Sequence, residues 1–252
     1  MLKKIIFTFF LFQCFQAISQ PVTENNITNN STGILKIIFV NVVDNAPMIL
    51  RNLNYKNPFD ETCSINKFKY YVSNVVVKSS SNSFSENDSY HLINQDDSAS
   101  LSFSFDIPSG SYNSFSFLLG VDSLHNVSGA QTDALDPVND MFWTWNSGYV
   151  MAKMEGKSTA SVYNNTFEFH IGGFSGPHNV LKNISLHLSP NTLVIHENKL
   201  SEIVINADAN AWWQKPHNIK ISVNPNITSP GLLAKEVSDN YSKMFSIIEI
   251  NN

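Results

Sequence analysis

The feature that most constrains this chain is a period of two. In residues 101–107, Leu101, Phe103, Phe105 and Ile107 alternate with Ser102, Ser104 and Asp106. On a pleated strand this sets one group against a core and the other in water. Alternating or β-branched runs also occupy residues 34–43, 65–77, 115–119, 167–171, 184–188 and 203–205, with a further strand expected at 219–223. Turn signals separate them, such as Pro108-Ser109-Gly110 and Gly172-Gly173 followed by Gly176-Pro177. Asn and Ser, 32 of each in 252 residues, favour turns and polar strand faces over helical surfaces. A helix is expected only near the C-terminus. There Leu232, Leu233, Val237, Tyr241, Met244 and Phe245 approximate one face after Pro230-Gly231, and a shorter turn is expected at 208–213. The expected fold is therefore all-β: a single β-sandwich-like domain with long functional loops and a short C-terminal helix.

Residues 1–19 read as a signal peptide, with Lys3 and Lys4 ahead of an apolar stretch and Ala17-Ile18-Ser19 as a small-x-small cleavage site. The apolar stretch is shorter than the ~20 residues a spanning helix needs. The mature chain is expected to carry no transmembrane anchor and to be exported to the periplasm, the cell surface or the medium. Residues 20–32 form a polar, flexible lead-in, and 33–252 the domain. Formal net charge is −5, and −7 once Lys3 and Lys4 leave with the leader, which argues against nucleic acid as a partner. Two cysteines, Cys14 and Cys63, exclude zinc ribbons, iron–sulfur clusters and a multi-bridge framework. Cys63, alone after export, is expected to be buried.

Residues 121–141 show little periodicity and read as an ordered surface loop packed through Leu124, Val127, Leu135, Val138 and Met141. They lead into Phe142-Trp143-Thr144-Trp145. If that run is extended, Trp143 and Trp145 share one face, either as core or as a paired indole site. His170 alternates with Phe167, Phe169 and Ile171 and so points away from their face. His187 sits in the same pattern, which often means no more than a solvated position. No HxH, HxxxH or HExxH occurs, so any metal site is assembled from distant positions. Asp122, Asp136 and Asp140 form an alternative hard-cation site for Ca²⁺ through loop oxygens. No GxSxG, P-loop or GxGxxG is present, and an enzyme is not expected. A carbohydrate- or surface-binding module is the alternative function, because paired tryptophans, Trp212-Trp213 included, also stack on sugars.

Residues 118–156, LLGVDSLHNVSGAQTDALDPVNDMFWTWNSGYVMAKMEG, followed by FEFHIGG at 167–173, resemble the MbnP-like copper-binding proteins, exported partners of dihaem peroxidases. KFKYYVSNV at 67–75 and SDNYSKMF at 238–245 extend the resemblance more loosely. It implies copper, as Cu(I) or Cu(II), held by two imidazoles and a kynurenine made from tryptophan by a dihaem cytochrome c peroxidase-like (MbnH-type) partner. An indole nitrogen is a donor only, whereas opening its ring yields an aniline-type amine able to coordinate. By position, Trp143 or Trp145 is the oxidised residue and His170 the matching imidazole. His125 is the second, displaced by two positions from the Asn-His of some relatives. Asp136, Phe142, Tyr149 and Phe169 would surround the site, with Phe142, Phe167 and Phe169 limiting solvent access.

Overall fold

A computed structural model describes residues 31–52, 55–143 and 148–252. The expected signal peptide, most of the lead-in and Trp145 lie outside the described residues. The principal strands are β1 (Thr32–Val43), β2 (Thr62–Lys78), β3 (Ser83–Asn94), β4 (Ser102–Pro108), β5 (Ser114–Leu119), β6 (Gly148–Ser158), β7 (Thr166–Gly172), β8 (Lys182–His187), β9 (Leu200–Asp208) and β10 (Phe245–Asn251). Two helices accompany them, α1 (Ser123–Val127) and α2 (Leu232–Tyr241). The architecture is all-β and sandwich-like, with a short helix near the C-terminus.

The first sheet is built on β1, which runs parallel to β9 along one edge and antiparallel to β4 along the other; β10 extends it beyond β9. Alternation decides its faces: Leu35, Ile37 and Phe39 are fully buried, while Ile34 is exposed. The second sheet is organised by β2. Along one edge β2 pairs first with β6, up to Tyr70, and then with β5, from Val72, and along the other it pairs with β3; the ladders to β5 and β3 are irregular after Ser73. Ser73 Oγ donates to the Gly120 carbonyl at 2.8 Å, tying the end of β5 to that point. β6 carries β7 on its far side.

Aromatic rings fill the space between the sheets. Phe39 of β1 meets Tyr70 of β2 and Phe117 of β5 at centroid distances of 5.9 and 6.2 Å. Trp212 packs on Phe68 and on Tyr241 of α2, and Trp213 packs edge-on against Phe167 and Phe169. Both tryptophans are buried, so this pair is core and offers no sugar-stacking surface. Cys63 is buried as expected, and burial together with nearby Glu61 and Asp44 pushes its thiol up to about 12.

The expected strand at 219–223 is instead a run of turns. Ile219 and Ile221 still face the core, but a carboxylate captures the backbone that a ladder would use. Glu61, on the other side of the molecule's sequence, accepts from the N–H groups of Ile221 (2.8 Å) and Ser222 (2.9 Å) and from Asn57 Nδ2 (2.6 Å). α2 stops at Tyr241 rather than running to Phe245, because Phe245 opens β10 alongside β9. The segment 121–141 holds α1 and two single-turn helices; Leu135 and Met141 are buried, whereas Leu124, Val127 and Val138 are exposed.

Burial raises the pKa of the Glu61 carboxyl, but hydrogen bonds from Ser222, Asn57 and Ile221 outweigh it and hold the group below its ordinary value. A carboxylate with a depressed folded pKa stabilises above its unfolded pKa and loses that contribution as pH falls through the folded value. Glu61→Gln is therefore expected to lower stability by about 1–3 kcal/mol at neutral pH. The difference from wild type shrinks in strong acid, as urea titrations at both pH values would read.

Candidate functional site

Strand β7 sorts its side chains by the period of two. Phe167, Phe169 and Ile171 are fully buried on the core face, and Thr166, Glu168, His170 and Gly172 lie on the other. Phe169 thus packs against Trp213 on the face opposite His170, as the alternation predicts, and does not shield His170 as the resemblance implied. His170 Nε2 is 2.9 Å from Glu155 Oε1 on β6, a contact that does not use Nδ1.

Directly across the ladder from His170 stands Lys153, a lysine only 2% exposed. Its ammonium donates to the Asp140 carbonyl and lies 3.0 Å from the Asp140 carboxylate and 3.8 Å from Glu155. Lys67 of β2 joins the same two carboxylates, at 2.9 Å from Asp140 and 3.2 Å from Glu155. Burial alone would raise both carboxyl pKa values. Hydrogen bonds from Lys67 and Lys153 bring Asp140 down to about 2, and those from His170 and Lys67, with the field of Lys153, bring Glu155 below its usual range. Lys69 donates to the Asn139 carbonyl at 2.9 Å. Its own pKa is lowered, first by burial and then by Lys153 and Lys67.

Two residues beyond His170, on the same face, Gly172 has no room for a side chain. A Cβ there would fall 2.5 Å from Cζ3 and 2.7 Å from Cη2 of Trp143. The six-membered ring of Trp143 therefore rests on the Gly172 backbone, one side-chain repeat along the strand from His170. Trp143 is 7% exposed and held in a short strand, Phe142–Trp143, in which Trp143 pairs with Gly148 and Phe142 with Tyr149. Phe142 meets the Tyr149 ring at 5.0 Å.

His125 is held by a different set of residues, Tyr90 and Asp122. It lies on α1, whose N-terminus is capped by Asp122 accepting from the His125 N–H at 3.1 Å. Its Nδ1 is 2.5 Å from the Tyr90 hydroxyl and 3.1 Å from the Asp122 carboxylate, so Nε2 is the nitrogen these contacts leave unused. Tyr90 also donates to Asp122. Burial opposes ionisation of Asp122, yet the Tyr90 and His125 hydrogen bonds bring it down to about 2. The adjacent Asn126, fully buried, accepts from Tyr149 N–H at 3.0 Å and donates to the carbonyls of Val121 and Asp122. Asn126 thus ties the helix that carries His125 to β6, beside the Gly148–Trp143 pair.

The three aspartates do not converge. Asp122 is engaged by Tyr90 and His125, Asp136 caps the Val138 N–H at 2.9 Å, and Asp140 pairs with Lys67 and Lys153. Among the described residues, no three His, Cys, Asp or Glu side chains gather as a ready metal-ligand group. The roles of Lys153, Glu155 and Tyr90 were not legible in the sequence. Only the proximity of Lys153 and Glu155 to the aromatic motif hinted at the first two.

A protein-family model, MbnP, matches residues 32–229. The chain belongs to the MbnP family. Among solved structures, MbnP from Methylosinus trichosporium superposes with a TM-score of 0.56 at 14% identity, covering 86% of this chain and 98% of that one. At that identity the likeness carries the fold. No curated protein matches the sequence. No helix among the described residues is long and apolar enough to cross a membrane. Within this MbnP-family scaffold, Gly172→Ala should force the Trp143 ring off the β7 backbone. The expected outcome is a changed near-ultraviolet tryptophan signal and a loss of about 1–3 kcal/mol in stability, read by circular dichroism and denaturant unfolding.

Proposed function

We propose that this chain is an exported copper-binding protein of the MbnP type, not itself an enzyme, acting in copper acquisition or storage. In this reading copper is the cargo. Its ligands are the imidazoles of His170 and His125 and a kynurenine made from Trp143 or Trp145 by a dihaem peroxidase partner. The observation that carries the reading is the seat of the Trp143 ring on Gly172, one side-chain repeat from His170. Family membership supports it, and the expected leader at residues 1–19 is in keeping with export.

The donor chemistry fits a soft ion. Each histidine has one ring nitrogen that its hydrogen bonds to Glu155, or to Tyr90 and Asp122, do not use. Imidazole and aniline-type nitrogens suit copper better than the hard, oxygen-seeking cations. The aspartates that a hard cation would need are already engaged, Asp140 by Lys67 and Lys153, Asp122 by His125 and Asp136 by the Val138 N–H. Opening the indole removes four electrons, adds the oxygens of two waters and then releases formate with a third; Trp143 is nearly enclosed, so the electrons would leave through the protein while only water reaches the ring. A separate haem partner meets that requirement.

The test is co-expression with a dihaem peroxidase, followed by intact-mass measurement and copper analysis. The expected result is the mass change of a tryptophan-to-kynurenine conversion together with bound copper. Wild-type protein with an unchanged mass and no copper would overturn the reading. His170→Ala is expected to keep the modification and lose most of the copper.

A further inference from the structure

The geometry assigns Glu155 a positioning role: it holds the Nε2–H of His170, so that Nδ1 is the nitrogen presented to a soft metal ion. The inference rests on the copper reading for the ion, but not for the state of the ring.

Glu155 is half-buried on β6, with Oε1 2.9 Å from His170 Nε2. An ionised carboxylate can only accept. Two ammonium groups ensure that it is ionised, Lys67 at 3.2 Å and Lys153 at 3.8 Å. Lys67 also engages its second oxygen, so Glu155 serves as an acceptor rather than as a ligand. The proton of the neutral imidazole therefore sits on Nε2, and the in-plane lone pair on Nδ1. The backbone adds a second constraint. His170 and Lys153 are directly paired across the β6–β7 ladder, so the ring, its carboxylate and the ammonium are fixed by one pair of strands. Partners of this kind orient a ligating histidine and fix its tautomer, and their loss typically weakens metal binding 10–100-fold.

The first arm of the experiment uses metal-free protein labelled with ¹⁵N in histidine. His170 is assigned by its absence in His170→Gln, and spectra are taken over a range of mildly alkaline pH. Long-range ¹H–¹⁵N correlation is expected to show one fixed tautomer with the proton on Nε2. Glu155→Gln, whose amide oxygen can still accept, is expected to keep it. Glu155→Ala should move both ring nitrogens toward exchange-averaged shifts. In the second arm, Cu(I) is titrated against a competing chelator into the peroxidase-treated proteins. Glu155→Ala is expected to bind 10–100-fold more weakly and Glu155→Gln to recover most of the loss.

A proton on Nδ1 in the wild type overturns the inference, as does an alanine variant identical to wild type in both spectrum and affinity. Near-ultraviolet circular dichroism of each variant reports its fold, and the glutamine variant carries the comparison if the alanine variant is unfolded. If treated wild-type protein binds no Cu(I), the copper reading fails while the spectra still decide whether Glu155 fixes the ring.

Discussion

A single strand, β7, is packed into the core on one face and pinned at Gly172 on the other, and the arrangement of the candidate site follows from it. On one side Phe167, Phe169 and Ile171 lock into the aromatic core around Trp213. On the other, Gly172 admits the Trp143 ring against the backbone. A strand held from both sides cannot slip by one residue without exchanging its faces. His170 is thereby fixed on the tryptophan side, and the β6 ladder supplies its partners Lys153 and Glu155 at set positions.

The long segment between β5 and β6 has few ladder hydrogen bonds of its own, so the sheet's side chains supply partners for its carbonyls. Tyr71 donates to Ala134, Tyr149 to Leu135, Lys69 to Asn139 and Lys153 to Asp140. Asn126 completes the attachment by bridging α1 to β6 through the Tyr149 N–H. This is why two buried or half-buried lysines are tolerated on a sheet face. Each ammonium meets carbonyl or carboxylate oxygens, which offsets the loss of water.

Alternation was legible where one face meets the core and the other does not, as in β1, β4 and β7, and those strands lie where the pattern places them. It was silent for β6, whose GYVMAKMEGKS has no period because both faces are covered. It misled at 219–223, where apolar residues are buried in turns whose amides are claimed by Glu61 from far along the chain. His170 and Trp143 could be read from the motif. The partners that define their environment could not, since Tyr90 and His125 are 35 positions apart and His170 and Glu155 are 15 apart. Such pairings are decided by strand order, which no local pattern encodes. Phe169 separates two kinds of inference: alternation put it on the face opposite His170, as the pleat does, whereas the family resemblance grouped the two at one site.

The burial of Cys63 has a bearing on metal handling. Thiolates outcompete imidazoles for soft cations, but only once the proton has left. With its sulfur enclosed and acidic neighbours discouraging ionisation, Cys63 carries a thiol that stays protonated at neutral pH. Among the described residues, then, no thiolate stands ready to compete with the nitrogen donors of the proposed copper site. The chain is also poorly suited to forming mixed disulfides in an oxidising compartment, where an accessible odd cysteine would cross-link.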